Sequence, residues 1–549
     1  MTSIEANRRS FDELVDKAVS FAAAGNWEEA AVETQQAGRF AWIDHSGLFA
    51  SKALEDVLGR IRRSIPCTTE TRAREGRTPR VVVHVATQLY GAGGHTQTIS
   101  RWVRQDPGSE HRLVLTSQGG VEVPAKIAEC FRTSAGPVFL DRRPGGLVRR
   151  ASALRRLVSA ADVVVVHAHP HDVVPALALG LEGLPPAVYV NHADHVFWLG
   201  TSAASVVLNL RQSGLDLCVS RRGVDPSRCM VANRPLELAP ADRRQEEQRS
   251  EGRLGWGVSD DEFLVVSAAA ESKYDPIGTQ SLIGLFTSFL AQHPRARLLV
   301  AGPSAQGMWS EAADATGGRI QALGRLSNVP ELFSAADVYV DSFPFASLTS
   351  LLEAGAHGLP LITFRGHPAE CAVLGADSPG LDNELFVPST EQEFIAALAS
   401  LADSPKFRAA RGAATKAAVL HGHSHSAWRD TAAAIYAKAS DAVGPIATGQ
   451  TPWQDGPLDQ LVARVQQQTG FAGTGAAAAD VVSLRKLPQR LGQWSALRKT
   501  RQVRLSQLLP EWARSRAAEA RRLAKSPSSR RVLTAGFGNA ATLRQQRVR

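Results

Sequence analysis

The stretch from Asp341 to Pro360 carries the residue types of an anion-binding site. Ser347, Thr349 and Ser350 are common N-cap residues, and they stand where a helix is expected to begin after a short apolar run. The first N–H groups of a helix have no partner within it, and the helix dipole favours negative charge at that end. A helix start of this composition suits a phosphate group.

Glu353 falls in the early turns of the same predicted helix, which Gly358 and Pro360 bring to an end. A carboxylate at this place can accept hydrogen bonds from ribose hydroxyls, while the neighbouring hydroxyl side chains bond to phosphate oxygens. We therefore interpret the stretch as the binding site of a nucleoside diphosphate. A Ser-Thr turn is most often only a helix cap, so this interpretation depends on partners from the rest of the chain.

Composition indicates a large globular protein in a reducing compartment. The 549 residues allow several domains, 44% of them are hydrophobic, and no run approaches the roughly 18–20 apolar residues of a membrane-spanning helix. The N-terminal residues 1–9 are polar and lack the apolar core of a signal peptide. The five cysteines are scattered and form no Cys-x-x-Cys pair, which favours free thiols and a cytoplasmic protein.

The net charge of +9 comes from the end of the chain. In residues 444–549, which we call the basic tail, 18 Lys and Arg stand against 5 Asp and Glu, a surplus of 13, so the rest of the chain is at −4. Such a tail can meet an anionic membrane surface, here the inner membrane face, or a protein partner, or it can be a solvated helical extension. Nucleic acid is disfavoured, because only Trp494 and Trp512 interleave the basic residues and no nucleic-acid domain accompanies them.

The pattern along the chain predicts four regions. Residues 1–75 form a helical N-terminal region that resembles half of a tetratricopeptide hairpin. Residues 76–238 and 239–443 form two domains in which short, non-alternating apolar strands alternate with helices. The basic tail is partly helical or disordered. The predicted fold class is therefore α/β, with two doubly wound Rossmann-like domains facing a cleft, a helical N-terminal extension and a basic C-terminal extension.

Strands are expected in the first domain at 81–86, 113–116, 138–140, 163–167, 187–191 and 217–220. In the second domain they are expected at 263–267, 297–301, 320–323, 336–340 and 361–364. The polar runs 68–79 and 240–253 are interpreted as linkers, and helices at 394–401 and 427–439 as closing elements of the second domain. The Gly/Ala-rich run 470–479 is expected to be flexible.

A loop rich in histidine follows one predicted strand of the first domain and would face the cleft. It runs from Asn191 to Trp198 and contains two histidines beside Asp194. An imidazole oriented by a carboxylate is a suitable general base for an acceptor hydroxyl. His195 is the first candidate for that base and His192 the second, with an ordinary hydrogen-bonded loop histidine as the plain alternative.

The segment from Gly324 to Pro360 resembles the signature region of glycosyltransferases of the GT-B fold, group 1. Its Phe-Pro element and hydroxyl pair resemble the O-GlcNAc transferase-like branch, and the resemblance covers roughly residues 80–440. In the large retaining branch two glutamates are spaced eight apart; Glu353 matches the second, and Phe345 stands in place of the first. Inversion and retention therefore both stay open.

The resemblance implies transfer of a sugar from a nucleotide sugar, with UDP preferred, to a protein, glycan or lipid-linked acceptor, without a metal or other cofactor. Glu353 would bind the ribose, Lys273 would stabilise the departing diphosphate and act as a catalytic cation, and Arg325 would flank the base. The implied donor-binding residues are Gly93, Gly94, His95, Lys273, Arg325, Ser347, Leu348, Thr349, Ser350 and Glu353.

Two alternatives belong to other functional classes. His167, His169 and His171 end a predicted strand in a pattern that metal-dependent hydrolases use, and with the loop at 191–195 they could bind metal. A non-catalytic scaffold with a transferase fold, acting through its helical N-terminus and basic tail, is the other.

Overall fold

The computed structural model describes residues 4–66, 79–91, 94–134, 136–237, 245–276, 280–375, 377–442, 444, 446–447, 449, 452–467 and 472–525. Three helices open the chain: α1 (Ile4–Ala23), α2 (Trp27–Ile43) and α3 (Lys52–Ser64). Helices α1 and α2 form a hairpin with Gly25 at its turn in a left-handed conformation (φ +74°), as the resemblance to a tetratricopeptide hairpin predicts.

The first sheet has seven parallel strands in the order β3-β2-β1-β4-β5-β6-β7. These are β1 (Arg80–Ala86), β2 (Ser109–Leu115), β3 (Val138–Phe139), β4 (Val163–His167), β5 (Ala187–Asn191), β6 (Val206–Asn209) and β7 (Cys229–Val231). Its helices are α4 (Gly94–Gln105), α5 (Ala125–Cys130), α6 (Leu147–Val158), α7 (Val173–Ala178) and α8 (Gln212–Arg222). Every residue of β4 and β5 is buried, because helices cover both faces of the sheet, and this explains their unbroken apolar runs.

The second sheet has six parallel strands in the order β10-β9-β8-β11-β12-β13. These are β8 (Phe263–Ala268), β9 (Ala296–Ala301), β10 (Ile320–Ala322), β11 (Val338–Val340), β12 (Leu361–Ile362) and β13 (Leu385–Phe386). Its helices are α9 (Gln245–Gly255), α10 (Leu282–Gln292), α11 (Met308–Ala315), α12 (Val329–Ala335), α13 (Leu348–Ala356), α14 (Glu391–Asp403) and α15 (Pro405–His423). Two doubly wound parallel sheets confirm the predicted fold class.

Several local predictions are wrong. Residues 217–220, expected as a strand, lie in helix α8, while strands β6 and β7 were not expected. The polar run 240–253, interpreted as a linker, contributes residues 245–253 to helix α9, which packs against α12. The linker at 68–79 falls almost wholly outside the described residues, as does the stretch 526–549.

Helix α16 (His425–Asp441) packs on the first sheet, although the prediction grouped its residues with the second domain. Its buried face includes Trp428, Ile435 and Tyr436, which lie in one core with Trp102 of α4 and Val165 of β4. The chain therefore returns to the first domain after completing the second.

The described part of the basic tail is helical: α17 (Pro457–Gln467), α18 (Thr474–Val481), α19 (Leu487–Leu497) and α20 (Glu511–Lys525). The Gly/Ala-rich run that was expected to be flexible forms most of α18, and Ala477 and Val481 lie in the core of the first domain. Ion pairs join this region to helix α2, with Arg39 bound to Asp480 at 2.5 Å and Arg485 bound to Glu33 at 2.6 Å. Among the described residues, no helix is both long enough and apolar enough to cross a membrane.

Candidate functional site

Helix α13 begins at the centre of the predicted anion site. Ser347 is its N-cap residue, but the serine hydroxyl caps no backbone N–H and lies instead 3.2 Å from the Ser350 hydroxyl. The N–H groups of the first turn, from Leu348 to Ser350, therefore receive no capping side chain, and their hydrogen-bonding capacity suits an incoming anion.

Asp341 holds the loop that leads into this helix. Its Oδ1 accepts hydrogen bonds from the backbone N–H of Ser342 at 2.8 Å and of Ser347 at 2.9 Å. Burial raises the pKa of Asp341 to about 6, although these N–H donors and the nearby Lys273 favour the ionised form. The carboxylate thus fixes the position of the helix start from below the loop.

Lys273 lies at the same helix start, as the resemblance implies. It follows strand β8, and its Nζ donates a hydrogen bond to the carbonyl oxygen of Ala346 at 2.8 Å and lies 4.4 Å from the ring centroid of Phe345. Burial lowers the pKa of Lys273 to about 8, against the attraction of Asp341. A desolvated ammonium group at a helix N-terminus is well suited to a phosphate.

Three arginines that the sequence did not single out complete this region. Arg234, after strand β7, donates from Nη1 to Thr349 Oγ1 at 2.9 Å, and its Nε is buried without a hydrogen-bond partner. Arg101 donates to Glu353 at 2.6 Å, and Arg211 binds Asp194 at 2.6 and 2.9 Å. Burial, followed by repulsion from Arg211, lowers the pKa of Arg234 to about 10.

Two of the four cations in this cluster have no ion-pair partner among the described residues. Arg101 and Arg211 each have a carboxylate partner, but neither Arg234 nor Lys273 makes an ion pair with any described residue. The one sequence signal for Arg234 was its position just after a strand. That strand, β7, was itself not predicted. Two half-buried cations without an ion-pair partner in the described structure, beside an uncapped helix start, form a site suited to a dianion.

The glycine-rich loop of the first domain meets this helix start from the other side of the cleft. A Cβ at Gly94 would lie 2.9 Å from Thr349 Oγ1, so the two domains approach here as closely as a glycine permits. His95 follows in helix α4 and pairs through Nε2 with the carbonyl oxygen of His167 at 2.8 Å. Gly93 lies outside the described residues.

Two other predicted donor residues have different surroundings. Glu353, expected to bind ribose, is half-buried and already paired with Arg101 across the domain boundary. Arg325 is exposed in the loop after β10 and makes no contact with the cationic cluster among the described residues. Its expected position beside the base is therefore a prediction that rests on the resemblance alone.

His195, the first candidate for the general base, has both ring nitrogens engaged. Nδ1 pairs with Asp194 Oδ1 at 3.3 Å, and Nε2 pairs with the Gln466 amide at 3.4 Å. The ring packs on Phe345 at 4.4 Å between centroids. Phe345, which stands in place of the first glutamate of the retaining branch, thus contacts both His195 and Lys273.

His192 has a free ring nitrogen and the better position. Its Nε2 lies 2.9 Å from His167 Nδ1, and Nδ1 has no hydrogen-bond partner among the described residues. The residue lines a small pocket together with His169, Asn191 and Trp198. Burial lowers the pKa of His192 well below its usual value, with further repulsion from His95 and Arg234, so the imidazole is neutral and can accept a proton.

The histidines proposed for a metal do not converge. Within the described residues, no three or more His, Cys, Asp or Glu side chains are grouped so that they could hold a metal ion. His167 turns to His84 and His192, whereas His169 and His171 pack beside Trp42 and each other. The arrangement therefore gives no support to the hydrolase alternative.

A family model matches the part of the chain that contains this helix start. Residues 265–404 match the model of the family described as glycosyl transferases group 1. This range contains Lys273, Asp341 and the whole of α13. The chain is a glycosyltransferase with the GT-B fold, and it takes the glycosyl group from a nucleotide sugar.

A search of solved structures finds similar chains of low sequence identity, and the first of the following two shares the fold. A glycosyltransferase from Rickettsia africae is 12% identical with a TM-score of 0.51, and the match covers 66% of this chain and 99% of that one. An O-GlcNAc transferase mutant from Thermobaculum terrenum is 15% identical with a TM-score of 0.45, over 84% of this chain and 85% of that one. No curated protein shows significant sequence similarity to this chain.

Proposed function

We propose that the chain transfers a sugar from a UDP-sugar to a hydroxyl acceptor without a metal ion. The observation that carries this proposal is the pair of cations, Arg234 and Lys273, that lack a carboxylate partner at the start of α13. Together with the free N–H groups of the first helical turn, they can balance a diphosphate by themselves. Preorganised charges of this kind stabilise the charge that develops as the diphosphate departs.

The reaction breaks the bond between the anomeric carbon and the diphosphate oxygen, and its electron pair leaves with the diphosphate. Lys273 and Arg234 stabilise that leaving group. The acceptor oxygen forms the new bond to the anomeric carbon, and its proton passes to the free Nδ1 of His192. We assign the base to His192 in preference to His195, because both nitrogens of His195 are engaged.

The cavity beside His192 is the proposed place of the acceptor hydroxyl. Its wall includes Tyr189 and Trp198, whose OH and Nε1 groups are buried without hydrogen-bond partners. Unpartnered polar groups in a cavity are suited to hydroxyls, which can both donate and accept. This supports a protein, glycan or lipid-linked acceptor that presents a hydroxyl group.

A thermal-shift screen with UDP, GDP and their sugars tests the donor, because a ligand that binds only the native state raises the melting temperature. We expect UDP-sugars to give the largest shift in the presence of EDTA. A shift with none of these nucleotides would refute the donor assignment, and a shift that EDTA abolishes would refute metal independence.

Lys273→Met is expected to reduce sugar transfer by about 10²–10³-fold, because it removes one charged donor from the departing diphosphate. The matched control is Lys406→Met, which removes a lysine from the exposed start of α15. Initial rates of UDP release check both variants, with melting curves to verify folding. Equal rates for wild type and Lys273→Met would contradict the role of this lysine.

We further propose that the basic tail brings the enzyme to an anionic membrane surface on the cytoplasmic side. In residues 486–505 there are 6 Lys and Arg and no Asp or Glu. Exposed leucines accompany them at Leu487, Leu491, Leu505 and Leu509. Helix α19 contacts the turn that carries Leu505, so basic and apolar side chains share one region of the surface. Apolar anchors combined with cations are the usual features of interfacial binding.

Co-sedimentation with vesicles of phosphatidylcholine, with and without phosphatidylglycerol, tests this docking. We expect binding only to the anionic vesicles, a steep loss of binding as salt rises, and a loss on Leu487→Gln/Leu491→Gln replacement. The exposed Leu420→Gln on α15 serves as control. If neither kind of vesicle binds the protein at low salt, the proposal of membrane binding is refuted. A protein partner is then the alternative for the tail.

A further inference from the structure

Four histidines of the first domain form a continuous hydrogen-bonded chain. His111 Nδ1 lies 3.0 Å from His84 Nε2, His84 Nδ1 lies 3.2 Å from His167 Nε2, and His167 Nδ1 lies 2.9 Å from His192 Nε2. At the far end, His111 Nε2 lies 2.9 Å from the backbone carbonyl oxygen of Asp106. We call these four residues the histidine chain.

The histidine chain runs diagonally across one face of the first sheet. His84 is opposite Leu113 and Val165 in the strand register, so His111 lies two residues behind it on β2 and His167 two residues ahead on β4. Even spacing keeps all three side chains on the same face. His192 follows β5 at the carboxyl edge of the sheet, where the cleft lies.

This face of the sheet is sealed from solvent. Trp102 of α4 packs edge-on against both His84 and His167, and Phe131 packs against His84. His84 and His167 are fully buried. Burial and the neighbouring imidazoles lower the pKa of each of them well below the usual value, so both are neutral at physiological pH.

When each ring of the chain carries one proton, the far end fixes the tautomers. The carbonyl oxygen of Asp106 can only accept, so the proton of His111 stands on Nε2, and its Nδ1 accepts from His84 Nε2–H. The same rule makes His84 Nδ1 accept from His167 Nε2–H, and His167 Nδ1 accept from His192 Nε2–H. The only ring nitrogen of the chain left with a free lone pair is His192 Nδ1.

We infer that the histidine chain is a positioning device that fixes the tautomer and orientation of the general base. His111, His84 and His167 act through His192 and do not touch the substrate. Each ring accepts a hydrogen bond from the next ring, so that His192 is left with an unprotonated Nδ1. This inference rests on the proposed role of His192 in glycosyl transfer.

The hydrogen bond from His192 to His167 is retained when His192 receives a proton. When the acceptor hydroxyl gives its proton to Nδ1, His192 becomes an imidazolium whose Nε2–H bond to His167 strengthens. The charged groups that influence the chain lie at its two ends: Asp106 beside His111, and Arg234 near His192. Product release returns the proton from His192 to water, so the chain itself ends each turnover unchanged.

Replacement of His84 tests the inference at a residue remote from the substrate. His84→Leu removes the acceptor that orients His167, whereas His84→Asn retains an amide oxygen near the place of Nδ1. With UDP-glucose or UDP-N-acetylglucosamine as donor and water as acceptor, we expect kcat for UDP release to fall about 10–100-fold in His84→Leu. The KM for the donor should not change, and His84→Asn should recover most of kcat.

If His84 has only a structural role, its replacement should lower the melting temperature of the variants. It should not produce the expected pattern of a lower kcat with an unchanged KM. Wild-type kcat in a folded His84→Leu would overturn the inference, and so would equal losses in the Leu and Asn variants. Donor binding by thermal shift keeps the two proposals apart. If no nucleotide sugar binds the wild type, the proposed function fails first.

The tautomer is directly visible in the wild type, whether or not the variants fold. In protein labelled with ¹⁵N-histidine, the imidazole nitrogens of His192 should show a proton on Nε2 and none on Nδ1 across neutral pH. A proton on Nδ1 of His192 in the neutral ring would overturn the inference.

Discussion

At the scale of single residues, the site is governed by the cost of burying charge. Lys273 has no carboxylate partner, and its pKa of about 8 places its titration within reach of ordinary buffers. The diphosphate of a sugar nucleotide binds the protonated amine and must therefore raise that pKa. Ligand affinity and proton binding at Lys273 are linked.

The affinity for a UDP-sugar should accordingly depend on pH above neutrality. The free protein loses the Lys273 proton as pH rises through about 8, while the complex keeps it, so affinity is full below this pH and falls above it. The fall approaches about tenfold per pH unit for one proton. Calorimetric titration from neutral to alkaline pH measures it. Lys273→Met should bind more weakly and lack this pH dependence.

Single residues also show where sequence reasoning succeeds. Ser347 and Thr349 were identified because the local pattern places them at a helix start, whereas Lys273 was identified from the family resemblance. Arg101, Arg211 and Arg234 were missed because each belongs to another element, and only the fold brings them to α13. The histidine chain was hidden for the same reason, since its members are spread from β1 to the loop after β5 and meet only through strand register.

At the scale of elements, the loop between β11 and α13 depends on one buried carboxylate. Asp341 accepts the N–H groups of both Ser342 and Ser347. Removing the acceptor leaves these donors unsatisfied and frees the helix start that binds the phosphate. The same residue therefore contributes to stability and to donor affinity.

We expect Asp341→Ala to lower the free energy of unfolding by about 1–3 kcal/mol. Urea unfolding measures this, and the UDP-sugar affinity should fall in parallel. Asp341→Asn keeps one acceptor oxygen and should lose less of both. An Ala variant as stable as wild type would show that the loop does not need this acceptor.

Element prediction was reliable for buried strands and poor for short or polar segments. The continuous apolar runs of β1, β4 and β8 are typical of strands in a parallel sheet that helices cover on both faces, and they were predicted as such. The run Leu217-Cys218-Val219 has the same composition, but it lies on the inner side of helix α8, where tertiary packing decides. Helix α9 was missed because its sequence is mostly polar and charged and its buried anchor is an arginine, Arg253, which pairs with Asp337.

At the scale of the whole molecule, the two chain extensions belong to the first domain. Residues of α1 and α2 share one core with strands β1 and β4 and with α18 of the basic tail. A buried cluster ties them together: Asp459 of α17 binds His45 at 2.8 Å and Arg221 of α8 at 2.7 Å. Helix α20 also binds this domain, because Glu511 pairs with the buried Arg150 at 3.0 Å. The exposed leucines Leu487, Leu491, Leu505 and Leu509 therefore lie in a segment that is held to the first domain on both sides.

Breaking this cluster should be costly. Asp459→Asn leaves Arg221 buried without a counter-charge, and we expect a loss of about 3–5 kcal/mol in the free energy of unfolding. The control is Asp480→Asn, which breaks the half-exposed pair with Arg39 and should cost at most about 1 kcal/mol. Denaturant titration of the two variants separates them. Equal losses would contradict the role of burial.

The contacts between Arg101 and Glu353 and between Arg234 and Thr349 span the cleft from one domain to the other. The same four groups face the site proposed for the sugar nucleotide. A donor that bonds to Glu353 or Thr349 must therefore displace an arginine first, and it then offers its own phosphates to that arginine. Donor binding thus exchanges the hydrogen bonds between the two domains for hydrogen bonds to the nucleotide. The bound nucleotide then connects the two domains in place of the contacts that it breaks.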